Sequence, residues 1–357
     1  MPTTDRRKVG IITFHDTPNF GATLQCYALH SVVSALGHDV EVINYRPLKA
    51  RLQYLRFLFL GQRRAWCNVG RVRRFAEFAR TRLNLSGRAI GSRRGLAGLA
   101  TRYAAAITGS DEVWKIDHMR PFDPSFYLDF CDTAHTRLIS YAASASAVTD
   151  LGARADDVAP LLRRFTALAV RDERTREQVR RVAGLEAELV VDPTFLWDWS
   201  AEDLPPIHPR PYVAVYAWTS AEDFRDLRRR MRRDGKDIVC VGCTHPDADA
   251  NYLAIGPEEW LRLLRHSDLV VTDFFHGAVF ALIFGRPLFV KVDPAKRTKL
   301  ASVMELAGLA THLHESYRPV SDSPTSSWNY DPAAVNARLA GPIAHSHAWL
   351  AAALRGL

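Results

Sequence analysis

The sequence predicts an α/β fold of two consecutive domains, each with a parallel sheet, facing each other across a cleft. Three observations carry that prediction. Short runs of β-branched residues alternate with helical segments, the rhythm of βαβ units. Most of these runs end at a turn rich in small and polar residues. The chain has 357 residues, long enough for two domains at roughly 100–200 residues each, and Pro205-Pro206 and Pro209 mark an extended linker between them. With 47% apolar and 24% charged residues the composition is that of an ordinary globular protein, not of a disordered, collagen-like or disulfide-stapled chain. The expected division is an N-terminal α/β domain over 1–200 carrying a basic helical insertion at 47–103, a second α/β domain over 201–330, and a helical tail over 331–357.

In chain order, Lys8–Phe14 reads as the first strand, His15–Gly21 as a polar loop, and Ala22–Leu36 as a helix that Gly37 stops. Val40–Tyr45 is the second strand. From Pro47 to Tyr103 strand signals give way to helices with a basic face, Phe75, Phe78 and Leu83 forming an apolar stripe beside Arg71, Arg73, Arg74, Arg80 and Arg82. The βα rhythm resumes with Ala104–Thr108, Arg137–Ala142, Ala167–Val170 and Leu189–Asp192, and a helix begins near Arg171–Thr175 with acids in its first turn. Beyond the linker come strands Tyr212–Ala217, Lys236–Val241, Asp268–Thr272 and Gly285–Lys291. Between them lie helices Glu222–Arg233, Pro257–His266 and Ala278–Phe284, and Pro332–Leu357 ends the chain as a helix broken near Gly341-Pro342.

The net charge of +8 is unevenly spread. Arg46–Arg102 holds fourteen arginines and Lys49 against Glu77 alone, a net charge of +14, so the remainder is mildly acidic. Such a segment fits a phosphate-bearing ligand or an anionic membrane better than nucleic acid, because its aromatic residues, Tyr54, Phe57, Phe59, Trp66, Phe75 and Phe78, are needed to pack the helices. The apolar run Tyr54–Leu60 is interrupted by Arg56 and falls short of the ~20 residues of a span. Val9–Phe14 is too short for a secretory signal, so a cytoplasmic protein, peripheral at the inner face of the membrane, is expected. Five cysteines argue against a disulfide framework, and Cys240-Val-Gly-Cys243 lacks the second pair that zinc would need, so packing is its expected role. With no Gly-x-Gly-x-x-Gly after a strand and no Walker loop, neither a nucleotide cofactor nor a metal is expected.

Open parallel sheets bind ligands beyond the carboxyl ends of their strands. The turns there offer His15, Asp16, Asn19 and Gln25, then Gly109-Ser110-Asp111, Ala143–Ser146, Arg171, and Thr272-Asp-Phe-Phe-His-Gly-Ala278. The last places His276 between two apolar segments, where an imidazole and exposed N–H groups can receive an anion. An arginine such as Arg171 at a strand end can grip carboxylate or phosphate in a fork, or can pair with a neighbouring acid.

Six motifs in order, Thr13–Leu29, Gly109–Trp114, Ile139–Ser144, Val170–Glu173, Val191–Thr194 and Thr272–Ala281, resemble those of the polysaccharide pyruvyltransferase family over about residues 8–292. The resemblance implies a fold similar to the GT-B glycosyltransferases, with an acceptor-side N-terminal domain and a donor-side C-terminal domain. It implies transfer of the pyruvyl group of phosphoenolpyruvate, a co-substrate rather than a cofactor, onto two hydroxyls of a sugar or lipid-linked oligosaccharide. A cyclic ketal forms and phosphate is released, as in cell-surface polysaccharide or glycolipid synthesis. Carried over by position, His276 and Asp111 are the expected catalytic residues; Arg171, Ser110, Phe275, Gly277 and Lys291 bind the donor; Asp16, Asn19 and Gln25 face the acceptor. Phe274-Phe275 stands where many members carry Arg-Leu. The competing expectations are a nucleotide-sugar glycosyltransferase of the same architecture and a non-enzymatic protein that binds membranes or nucleic acid.

Overall fold

The computed structural model describes residues 8–48, 52, 65–117, 121–146, 148, 151–292, 297–316 and 325–357. Its residues form two compact units. One comprises Met1–Gln62, Ala76–Trp197 and Pro342–Leu357, the other Arg63–Phe75 and Asp198–Gly341. Each is built on its own six-stranded sheet in which every paired strand is parallel.

In the first unit the strands are β1 (Val9–Ile12), β2 (Val40–Val42), β3 (Ala105–Thr108), β4 (Arg137–Ala143), β5 (Ala167–Val170) and β6 (Glu188–Leu189), ordered β2-β1-β3-β4-β5-β6. Every residue of β1 and β3 is buried, as a sheet covered on both faces requires. Helix Phe20–Ala35 follows β1, with Asn19 as its N-cap accepting from the Ala22 N–H at 3.2 Å. The last strand is shorter than its apolar run: the Asp192 carboxylate accepts from Thr194 N–H at 3.1 Å, and Pro193 opens a 3-10 turn that draws the chain away from the sheet. Helix Ala155–Leu162 escapes the sequence reading because it is short and contains Pro160.

Helix Ala65–Arg82 realises part of the basic segment, and buries Phe75, Phe78 and Ala79. Lys49, Arg51, Arg56, Arg63, Arg64, Tyr54, Phe57 and Phe59 lie outside the described residues. Several of the described arginines are engaged internally. Arg46 pairs with Asp16 at 2.8 Å, Arg102 with Glu41 at 2.9 Å, Arg74 with Glu259 and Arg93 with Asp129. The Arg71 guanidinium donates to the Gly242 carbonyl at 3.1 Å.

The second sheet contains β7 (Tyr212–Tyr216), β8 (Asp237–Val241), β9 (Ala250–Tyr252), β10 (Leu269–Thr272), β11 (Leu288–Lys291) and β12 (Leu313–His314), ordered β12-β11-β10-β7-β8-β9. The sequence reading misses β9 and β12, which have two or three residues each and only partly buried or exposed positions. It also expects a break at Gly341-Pro342, whereas helix Pro332–Ala353 runs unbroken through Pro342. A proline removes one N–H and crowds one carbonyl, costs that a long helix held at its end can absorb. Here the end is held: Leu350 and Leu354 are fully buried in the core of the first unit, and Arg137 donates to the carbonyls of Ala353 and Arg355 at 2.9 Å.

In both sheets the strand order reverses beside the opening strand. The chain steps from β1 outward to β2, then back across to β3; likewise it runs from β7 to β8 and β9, then returns to β10. Those reversals, β1/β3 and β7/β10, are the switch points at which α/β sheets bind ligands. Among the described residues no helix is long and apolar enough to cross a membrane.

Candidate functional site

At the carboxyl ends of the first sheet, a continuous chain of buried hydrogen bonds links the turns. Gln25, fully buried, donates its amide to Thr13 Oγ1 at 3.0 Å, and Thr13 Oγ1 donates to the Ser110 carbonyl at 2.9 Å. Ser110 Oγ donates to Asp192 Oδ2 at 3.0 Å, and the same oxygen receives the Arg171 guanidinium at 2.8 Å. The turns after β1 and β3 and the segments after β5 and β6 are therefore fastened together around Asp192. The Arg171 and Asp192 side chains are 6% and 0% exposed. Burial works against the Arg171 charge, yet Asp192 and Asp111 outweigh it and hold its pKa above the ordinary arginine value.

Asp111 sits in the left-handed region at φ 79°, rare for a residue with a side chain. Its carboxylate accepts from the Glu112 N–H at 2.8 Å, and its carbonyl from the Ser144 N–H at 3.0 Å. Ala142 and Ser146, around the next strand end, are also left-handed, at 54° and 62°. A second carboxylate fixes that turn: Asp172 caps helix Glu173–Ala183, accepting from Thr175 N–H at 2.9 Å and from Ser144 Oγ at 2.6 Å.

Of the expected acceptor residues, Gln25 belongs to the chain of buried hydrogen bonds around Asp192, while Asp16 and Asn19 have other partners. Asp16 is held by Arg46, and Asn19 is exposed with its side-chain Oδ1 engaged in capping. His15, just before Asp16, is buried, its ring between the Thr13 carbonyl at 3.2 Å and Asn44 Oδ1 at 3.2 Å; burial lowers its pKa, which favours the neutral imidazole.

In the second unit the turn after β10 is clamped by Thr272. Its hydroxyl donates to the Tyr216 carbonyl at 2.7 Å and accepts from the Phe274 N–H at 3.1 Å, tying the ends of β7 and β10 together. Asp273 Oδ2 adds a second tie by accepting from the Trp218 N–H at 3.1 Å. Helix Phe275–Ile283 starts one turn earlier than its apolar pattern indicates, so Phe275, His276 and Gly277 occupy its first turn, where N–H groups have no intrahelical acceptor. His276 is 9% exposed, and its ring meets Phe275 edge-on at 5.1 Å. Gly277 is there for space: a Cβ would lie 2.2 Å from Thr272 Oγ1. Lys291 ends β11, one position beyond the residue paired with Thr272, which sets it alongside the start of the same turn.

Ser110 and Arg171 are thus linked within one unit, with Asp111 next in sequence, while Phe275, His276, Gly277 and Lys291 gather at the switch point of the other. Sequence reading passed over Asp192 as a participant, although a carboxylate directly after an apolar run and before a proline was visible in it. Asp273 and Trp218 needed the strand order to be seen.

Cys240 and Cys243 share a hydrogen bond that lowers the Cys243 thiol pKa and pushes that of Cys240 far up, helped there by burial; both belong to the packing under β8. Among the described residues no cluster of three histidine, cysteine or acidic side chains could hold a metal. Two open surface grooves, about 560 Å³ beside Asp156, Arg163 and Arg181 and about 350 Å³ beside His30, His38 and Asn84, touch none of these turns.

A comparison with curated proteins returned no match. Among solved structures the chain resembles the UDP-GlcNAc 2-epimerase of Neisseria meningitidis bound to UDP-GlcNAc, at 9% identity and a TM-score of 0.56, covering 97% of this chain and 99% of that one. It also resembles the UDP-GlcNAc 2-epimerase of Methanocaldococcus jannaschii (11% identity, TM-score 0.53, 88% and 90% covered) and S. aureus MnaA in a co-structure with UDP (11%, 0.52, 91% and 92%). At these identities the likeness is one of fold, the GT-B-like pair of parallel α/β sheets that the sequence predicts. The model of the polysaccharide pyruvyl transferase family matches residues 19–291, a stretch that runs from the cap of the first helix to Lys291 and contains both switch-point turns after β3 and β10. By that match the chain belongs to the polysaccharide pyruvyl transferase family, a family of transferases.

Proposed function

We propose that the protein moves the pyruvyl group of phosphoenolpyruvate onto two hydroxyls of a sugar acceptor, forming a cyclic ketal and releasing phosphate. The acceptor is a polysaccharide or a lipid-linked precursor of one. The carrying observation is the family match over residues 19–291, which takes in Ser110, Asp111, Arg171, His276 and Lys291 together.

In this reading His276 delivers a proton to the methylene carbon of the enol phosphate, and positive charge develops on the carbon bearing the phosphate. A sugar hydroxyl attacks that carbon and gives its proton to Asp111. Carbon–oxygen cleavage releases phosphate, and the second hydroxyl closes the ring. Of the two hydroxyl protons one in effect replaces the proton placed on the methyl carbon, and the other leaves on phosphate. Arg171, with Ser110 beside it, holds a donor anion; Lys291 and the first-turn N–H groups at Phe275 and Gly277 hold another. Asp16, Asn19 and Gln25 order the loop that meets the acceptor, two of them through Arg46 and Thr13.

Phosphate release from phosphoenolpyruvate that requires a sugar acceptor supports this reading. His276→Ala should abolish release while the thermal unfolding midpoint stays near that of the parent. Release undiminished in the variant removes His276 from the mechanism, and thermal stabilisation by UDP-sugars but not by phosphoenolpyruvate favours glycosyl transfer instead.

A further inference from the structure

The second switch point also carries an exposed aromatic side chain. Trp218, two residues past the end of β7, is 68% exposed, whereas Trp114, Trp199, Trp260 and Trp328 are all buried. Leaving an indole in water forgoes one of the largest burial gains a side chain offers. Nor is its position a loose one. Its N–H donates to Asp273 Oδ2 at 3.1 Å, so its backbone is tied to the turn that carries His276, and its strand end is pinned by Thr272. An aromatic series backs it: Trp218 lies 6.3 Å from Phe274, Phe274 stacks on Tyr216 at 4.5 Å and 28°, and Tyr216 meets the buried Trp260 at 5.3 Å. The series runs from the core outward and ends in an open ring beside Phe274, two residues before His276.

A flat, anchored, solvent-facing indole binds whatever presents a flat apolar face and can be approached at low entropic cost. A pyranose has such a face in its axial C–H groups, and its hydroxyls point outward to water or to polar neighbours. A carboxylate or phosphate has none, and it would turn to the cationic groups nearby. A nucleobase has one too, but the family is one of polysaccharide pyruvyl transferases, which favours a sugar ring as the occupant.

We propose that Trp218, supported by Phe274, is a platform on which one sugar ring of the acceptor stacks. The proposal rests on the pyruvyl-transfer reading, in which the donor is held at this switch point and an acceptor sugar must come to it, and it deepens that reading by assigning a neutral saccharide subsite.

The test uses the full chain without phosphoenolpyruvate, so that it stands or falls apart from the transfer reaction. Binding of cellotetraose and of N-acetyllactosamine, with UDP as the base-bearing probe, is measured by calorimetry and by saturation-transfer NMR for the parent, Trp218→Ala and Trp218→Phe. The expected result is saccharide binding weakened about tenfold in Trp218→Ala and largely kept in Trp218→Phe, the loss of an aromatic anchor. Unchanged unfolding midpoints in both variants would show that the exposed ring is not needed for the fold. Saccharide affinity equal in the parent and Trp218→Ala, no saccharide binding by the parent, or UDP binding that alone depends on Trp218 would each overturn the proposal. If saccharides bind through Trp218 while phosphoenolpyruvate is never consumed, the subsite holds and the pyruvyl donor is what fails.

Discussion

Arg171 forms a buried ion pair that fastens the turns at the carboxyl ends of the first sheet. Its partner Asp192 is fully buried and shared with Ser110, so removing either charge strands the other in a water-poor site. Breaking such a pair costs about 3–5 kcal/mol. Arg171→Ala and Asp192→Ala should each destabilise the protein by about that amount in urea unfolding, and the double variant by much less than the sum. Additive losses would mean that the two side chains do not act as a pair. The arginine itself was legible because it follows a buried strand. Its partner was not, because the sequence offers Asp172 and Glu173 as nearer acids, and only the parallel pairing of β5 with β6 brings Asp192 across. Asn19, which the sequence places on the loop facing the acceptor, also caps the helix that follows, because the nearest unsatisfied groups are that helix's own N–H donors.

Among the elements, those with continuous apolar runs were readable within a residue or two. β5 has the bounds its pattern predicts, and β1, β3, β7, β8 and β10 differ only at their ends. The short edge strands β9 and β12 were not readable, since an edge buries little and leaves little hydrophobic signal. Helix Phe275–Ile283 was misread at its start for a different reason: glycine and aromatic residues weaken a helix pattern, yet tight packing on Thr272 demands the glycine. This makes a prediction whose sign is informative. Alanine in place of glycine inside a helix ordinarily stabilises by about 1 kcal/mol. Gly277→Ala should instead destabilise by about 1–3 kcal/mol, because its methyl group collides with Thr272 Oγ1 in an already filled core. A higher urea midpoint in the variant would contradict the close approach on which the position of His276 depends.

For the whole molecule, the two-sheet architecture followed from length and rhythm, but the membership of each unit did not. The final helix contributes its last turns to the first unit, and residues 63–75 of the basic segment belong with the second. Nor does the +14 of Arg46–Arg102 translate into an equally charged surface. Arg46, Arg74, Arg93 and Arg102 are paired with acids, and Arg71 reaches a carbonyl. The charge left on the surface of the described residues includes the exposed Arg73, Arg80, Arg88 and Arg94, and we propose an anionic membrane as its partner. Co-sedimentation with phosphatidylglycerol vesicles should be measurable at low ionic strength, fall steeply as salt shortens the Debye length from about 30 Å at 0.01 M to about 10 Å at 0.1 M, and weaken when these four are replaced by serine. Absence of binding at low salt would remove the membrane from the account.

Mass spectrometry of candidate acceptor saccharides incubated with the protein and phosphoenolpyruvate tests pyruvyl transfer most directly. The account predicts an acceptor heavier by one ketal-linked pyruvyl group, an equal amount of free phosphate, and neither with His276→Ala. An acceptor extended by a glycosyl unit from a UDP-sugar, with phosphoenolpyruvate untouched, would contradict it.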